Sequence, residues 1–128
     1  MRWRGWIFGG AALLAAACLD GPTPAEVTLV LTTPNQDDGA ISFTITSSAP
    51  NEVTGVTATC DSCAAFVARV SATELRGIIT GNLAAGPVAR VGVMNGSPNQ
   101  AYSVELREIA SRALAPRGLS GYTLAVQP

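Results

Sequence analysis

The chain of 128 residues contains no histidine and no lysine. Without histidine there is no Ser-His-Asp or Cys-His nucleophile and no imidazole acid–base pair; without lysine there is no Schiff base. The usual zinc sites go with them, because a structural zinc takes four ligands and only Cys60 and Cys63 stand close together. Charge is also sparse, at 13% of residues, and every cation is an arginine. Setting aside Arg2 and Arg4 at the extreme N-terminus leaves six arginines against nine carboxylates. That mildly acidic balance has no basic stripe to displace counterions, so no nucleic-acid partner is expected. Aromatic residues make up only 5%, and both tryptophans, Trp3 and Trp6, lie near the start of the chain.

The N-terminus has the order of an export signal: Arg2 and Arg4, an apolar run over residues 6–17, and small residues before a cysteine. The run is shorter than the ~20 residues that a membrane-spanning helix needs. Its ending, Leu14-Ala15-Ala16-Ala17-Cys18, resembles the lipobox of a bacterial lipoprotein. The resemblance implies cleavage before Cys18, acylation of that cysteine, and attachment to a membrane of the cell envelope. Leu19, where an aspartate would retain the protein in the inner membrane of enterobacteria, favours the outer membrane. The organisation expected is a signal over 1–17, a lipidated cysteine and Pro/Gly-containing tether over 18–25, and one domain over 26–128.

Beyond the tether the hydrophobic period is two. Val27, Leu29 and Leu31 alternate with threonines and Val30, while Ile41, Phe43 and Ile45 alternate with Ser42, Thr44 and Thr46. Further strands are expected over 53–59, 66–70, 75–80, 88–94, 102–106 and 122–126. Phe66, Ala68 and Val70 are assigned to the core, as are Tyr102, Val104 and Leu106. Turn formers, among them Asp38-Gly39, Gly86-Pro87 and Asn95-Gly96, fall between these runs. Alanines and the spacing of Ile109 and Ala113 permit a helical turn within residues 108–115. About eight short strands with turn signals between them make an all-β fold, a single antiparallel sandwich.

Cys60-Asp61-Ser62-Cys63 supports two readings. One is a disulfide clasp over the turn between strands 53–59 and 65–71, normal outside the cytoplasm. The other is an exported thiol–disulfide redox site, which requires Cys60 at the start of a helix over 64–76. Asn35-Gln36-Asp37-Asp38-Gly39 reads as a polar hairpin loop; an irregular calcium site would use Asp37 and Asp38, although Pro34 stands where an EF-hand loop needs its first ligand. Other carboxylates, among them Glu52, Asp61, Glu74, Glu105 and Glu108, are scattered, where glycoside hydrolysis needs a facing pair in a cleft. No catalytic residue, metal site or cofactor is assigned. A carbohydrate-binding surface would have to use Tyr102 or Tyr122, both read as core edges.

The order of features resembles the cohesin-like β-sandwich. An apolar strand and turn precede the glycine-led Gly39-Ala40-Ile41-Ser42-Phe43-Thr44-Ile45. Later, Ile79-Thr80-Gly81-Asn82-Leu83-Ala84-Ala85-Gly86 leads into the apolar strand 88–94. The similarity covers most of residues 26–127. It implies a non-catalytic adhesion domain that recognises a protein partner through one sheet face. The missing histidine and lysine, the scattered carboxylates and a chain too short for a deep cleft independently favour a non-enzymatic binding or structural module, and the ligand-binding residues stay unassigned.

Overall fold

In a computed structural model the described residues are 23–95 and 102–127. The expected signal, Cys18 and residues 19–22 of the expected tether lie outside them. Among the described residues the regular structure is entirely β: β1 (Thr23–Thr32), β2 (Asp38–Ser47), β3 (Glu52–Ala58), β4 (Ala64–Ser71), β5 (Glu74–Leu83), β6 (Gly86–Asn95), β7 (Tyr102–Ser111), β8 (Pro116–Arg117) and β9 (Thr123–Gln127). They form a four-stranded sheet in the order β3-β6-β1-β9 and a five-stranded sheet in the order β4-β5-β2-β7-β8. Every pairing is antiparallel. The all-β sandwich expected from alternation is the fold.

The core lies between the sheets and comes from the inward parity of each strand. Val27, Leu29 and Leu31 of β1 and Val88, Val91 and Val93 of β6 meet Ile41, Phe43 and Ile45 of β2 and Leu75 and Ile79 of β5. Burying one such side chain stabilises the fold by about 1.5–3 kcal/mol, so these alternating runs supply most of the driving force. Gly77 also faces inward. It pairs with Phe43, and a Cβ at Gly77 would stand 2.5 Å from the Phe43 ring, so the missing side chain is what admits the largest fully buried side chain of the core.

Four expectations need correction. β1 starts at Thr23, ahead of the alternation that begins at Val27, because Thr23 and Pro24 already pair with Asn95 and Met94. Residues 108–115 contain no helical turn: β7 continues to Ser111. A bulge between the Phe43–Leu106 and Ser42–Glu108 pairs leaves Arg107 as an extra residue. It turns both Leu106 and Ile109 toward the core, a spacing of three that imitates a helix. Asp38 and Gly39 begin β2 and are not the turn. Finally, residues 33–37 do not close a hairpin, because β1 and β2 belong to different sheets and the loop crosses the sandwich.

Candidate functional site

At one end of the sandwich the crossing loop is fixed by Asp38, which is fully buried. Its Oδ2 accepts a hydrogen bond from Thr33 Oγ1 at 2.5 Å, and its Oδ1 accepts from Tyr122 Oη at 2.7 Å and Arg117 Nη1 at 2.8 Å. Asn35 Nδ2 donates to Tyr122 Oη at 2.7 Å, and Arg117 Nη2 pairs with Asp37 Oδ1 at 2.7 Å. Burial pushes the Asp38 carboxyl up, but the hydrogen bonds from Thr33, Tyr122 and Arg117, with the Arg117 charge, outweigh it and hold the group below the usual carboxylate range. The Arg117 guanidinium is held still more firmly protonated, chiefly by Asp37 and then by Tyr122. Both carboxylates of the calcium reading are thus engaged by one arginine. Among the described residues no group of three or more histidines, cysteines or carboxylates is placed to hold a metal. Asp38 is a latch joining the β1–β2 loop to β8 and β9.

Cys60 and Cys63 are joined by a disulfide, with Cα atoms 5.1 Å apart. Their turn carries the chain from β3 in one sheet to β4 in the other. Residues 64–71 are a strand, so Cys60 does not stand at the helix start that a lowered thiol pKa needs. The turn rests on β5: Ser62 Oγ accepts from the Asn82 backbone N–H at 3.2 Å, and a Cβ at Gly81 would stand 2.6 Å from Ser62 O and 2.8 Å from Cys63 Cα. The geometry is that of a clasp.

The tyrosines do not form a platform. Tyr122 is buried in the latch, and Tyr102 is half-buried against the core with its hydroxyl pushed up by burial. Among the described residues the exposed aromatic is Phe66, assigned to the core from the sequence and 60% exposed in the fold. Register explains the reversal. Val67 pairs with inward-facing Gly77, so the inner parity of β4 is Ala65, Val67 and Arg69. Phe66 pairs with Ile78, itself 45% exposed, on the outer face.

The pairings assemble that face row by row. Phe66, Ile78, Ser42 and Glu108 form one row across β4, β5, β2 and β7; Ala68, Arg76, Thr44 and Glu105 form the next. On the other side of the Phe66 row lie Ala64, Thr80, Ala40 and Ala110. An apolar zone is therefore bordered by an arginine–glutamate zone, where Arg107 Nη1 meets Glu105 Oε1 at 2.8 Å and Arg76 Nε lies 3.8 Å from Glu74 Oε2. Open depressions of about 380, 240 and 330 Å³ follow one another over the face. Beneath the arginines, Thr44 Oγ1 is buried with no hydrogen-bond partner among the described residues. The outer face of the other sheet differs: its central row is Thr57, Arg90, Thr28 and Gln127, with no large exposed hydrophobe among the described residues.

A scan against protein families and a search of curated proteins return no match. Among solved structures the chain is similar to one in the CaDoc0917–CaCohA2 complex crystallised at pH 5.5, a cohesin complex. The superposition has a TM-score of 0.60 at 13% identity and covers 77% of this chain and 84% of that one. At that identity the likeness shows the fold alone, and the fold is a cohesin-like β-sandwich.

Proposed function

We propose that this chain is a non-catalytic protein-recognition domain, held at the cell envelope by a lipid on Cys18, whose binding surface is the outer face of the five-stranded sheet. The observation that carries the reading is the Phe66–Ile78 pair, two large apolar side chains standing in water beside Arg76, Arg107, Glu105 and Glu108. An apolar centre with a charged, hydrogen-bonding rim is the usual anatomy of a protein interface. Exposed apolar contacts of this kind do little for the monomer and mark an interaction surface when they cluster. The cohesin complex supports a protein partner, since the fold there stands in an assembly. The disulfide at residues 60 and 63 supports an oxidising compartment, in keeping with export.

The test is affinity capture by the full chain from envelope extract of its own cell, in three forms. The parent chain is expected to retain a saturable protein partner. Ile78→Asp, at the centre of the patch, is expected to weaken it by about 30-fold, a loss of about 2 kcal/mol. Thr28→Arg, on the outer face of the four-stranded sheet, is expected to leave it unchanged. A partner lost equally with Thr28→Arg, or retained in full by Ile78→Asp, would overturn the assignment of the face.

A further inference from the structure

Each sheet has two edges, and three of the four are guarded. β8 is two residues long and begins with a proline, which has no N–H to offer. β9 is five residues long. β3 is bulged between Val53 and Gly55 and sealed at Val53, whose N–H donates to Ala72 O at 3.1 Å and whose carbonyl accepts from Arg69 Nη2 at 2.9 Å. β4 is different. It pairs with β5 on one side and with no strand among the described residues on the other. Its guard is confined to its end, where a register shift separates Arg69 from Ser71 and the Arg69 side chain turns in to Val53. Residues 64–68, Ala-Ala-Phe-Val-Ala, carry no charge and no proline. Alternate backbone groups of such an edge are a ready template for another strand.

What fits that template is set by its chemistry. The open stretch has no charge to select a charged peptide, so its complement is a neutral, apolar, extended strand. The outward side chains are Ala64, Phe66 and Ala68, which read the same in both directions about Phe66. An antiparallel copy centred there sets Phe66 against Phe66 and each Ala64 against an Ala68, with no bulk clash. Val67, 46% exposed on the inner side, then gains Ala65 of the copy as its neighbour. We propose that β4 is a self-association edge: two copies of this chain pair β4 with β4 across a two-fold axis through Phe66, joining their five-stranded sheets. Antiparallel self-pairing is isologous, so it closes as a dimer and does not propagate. It joins Ile78, Phe66, Phe66 and Ile78 into one apolar band on a doubled outer face, with an aromatic cross-strand pair at its centre. A pair of this length is a small contact, at the weak end of specific interfaces. The inference does not rest on the protein partner proposed above.

The full chain carrying Phe66→Cys, oxidised in intact cells, tests it. A two-fold pairing brings the substituted positions of two copies within the Cα separation a disulfide spans. The expected result is an inter-chain cross-link about tenfold above that of Thr28→Cys, reduced to the control level when Val67→Lys sets cations into the edge. Val67 points to the inner side of the sheet, so this change leaves the outer face intact, and protease resistance equal to the parent shows that the variant folds. Independently, the backbone amides of residues 64–68 that point away from β5 are expected, in the purified parent chain, to exchange more slowly as its concentration rises. Ser42→Arg, which should block a partner on the outer face, is expected to leave the cross-link unchanged. No more cross-link than the control would overturn the proposal and leave the edge to a foreign strand. A cross-link that survives Val67→Lys or disappears with Ser42→Arg would overturn it in favour of contact through the outer face. So would amides whose exchange is independent of concentration.

Discussion

Asp38 shows how one residue can be misplaced by its composition and explained by its environment. A carboxylate beside a second carboxylate and a glycine reads as a loop, yet this one is the most buried charge of the fold, and a loop is organised around it. A buried charge is tolerated when its hydrogen bonds are complete, and removing one partner leaves the other exposed to the full cost. Asp38→Ala is therefore expected to destabilise the chain by about 3 kcal/mol, because Arg117 and Tyr122 lose their common acceptor. Asp37→Ala, whose carboxylate is mostly in water, should cost less than about 1 kcal/mol. Urea midpoints of the two variants make the comparison. The pH dependence follows from the same contacts. Asp38 titrates lower when folded than when unfolded, so its contribution is complete above the unfolded value of about 3.9 and is lost as pH falls through the folded one. Asp38→Ala should flatten that acid limb in a pH series of thermal melts; an unchanged limb would assign it to other carboxylates.

At the scale of elements, the strands that face the core on one side only were legible, because water on the other side enforces strict alternation. β1 and β2 are the clear cases, with Leu29, Leu31, Ile41, Phe43 and Ile45 all buried as their parity requires. Two elements were not legible, each for a physical reason. The Arg107 bulge in β7 converts a period of two into a spacing of three, so a strand acquires a helical signature. β4 lies at an edge where neither side is well covered, and hydrophobicity alone does not choose its parity; the choice is made by register with β5. The β3–β4 turn allows a sharper test of packing. Gly81 and Gly86 both have positive φ, 136° and 119°, but only Gly81 lies under the disulfide turn; a Cβ at Gly86 would meet nothing within 4 Å. Alanine at Gly86 is expected to cost only the backbone strain, about 1–3 kcal/mol, while alanine at Gly81 costs that and the displacement of the turn. The double variant Cys60→Ala, Cys63→Ala should cost about 2 kcal/mol, the loop-closure value for so short a ring. Combining it with Gly81→Ala should cost less than the sum, because a freed turn can move off the glycine. Strict additivity in urea denaturation would show that the turn does not bear on β5.

Over the whole molecule, the two outer faces were equivalent in the sequence, each a set of alternate residues, and only the assignment of Phe66 to the outside made them unequal. The candidate surface was invisible for that one reason, whereas the sandwich itself did not depend on it. The proposed export and anchoring would have a signature that depends on neither face. The tryptophans, Trp3 and Trp6, both precede Cys18, and the rest of the chain has tyrosine and phenylalanine only. Cleavage before Cys18 would thus remove every indole and leave emission from Tyr102 and Tyr122 alone. Chain isolated from the envelope is expected to fluoresce as a tyrosine protein and to carry label from a fatty acid fed to the cells. Cys18→Ser is expected to keep its indole emission and to lose the label together, because in lipoproteins acylation of the cysteine precedes the cut. Tyrosine emission without label would indicate a plain secretory signal with an unmodified cysteine, and indole emission in the envelope-bound parent would show that residues 1–17 stay attached. Either outcome would remove the lipid anchor from the proposed function and leave the sheet face to be judged on its own test.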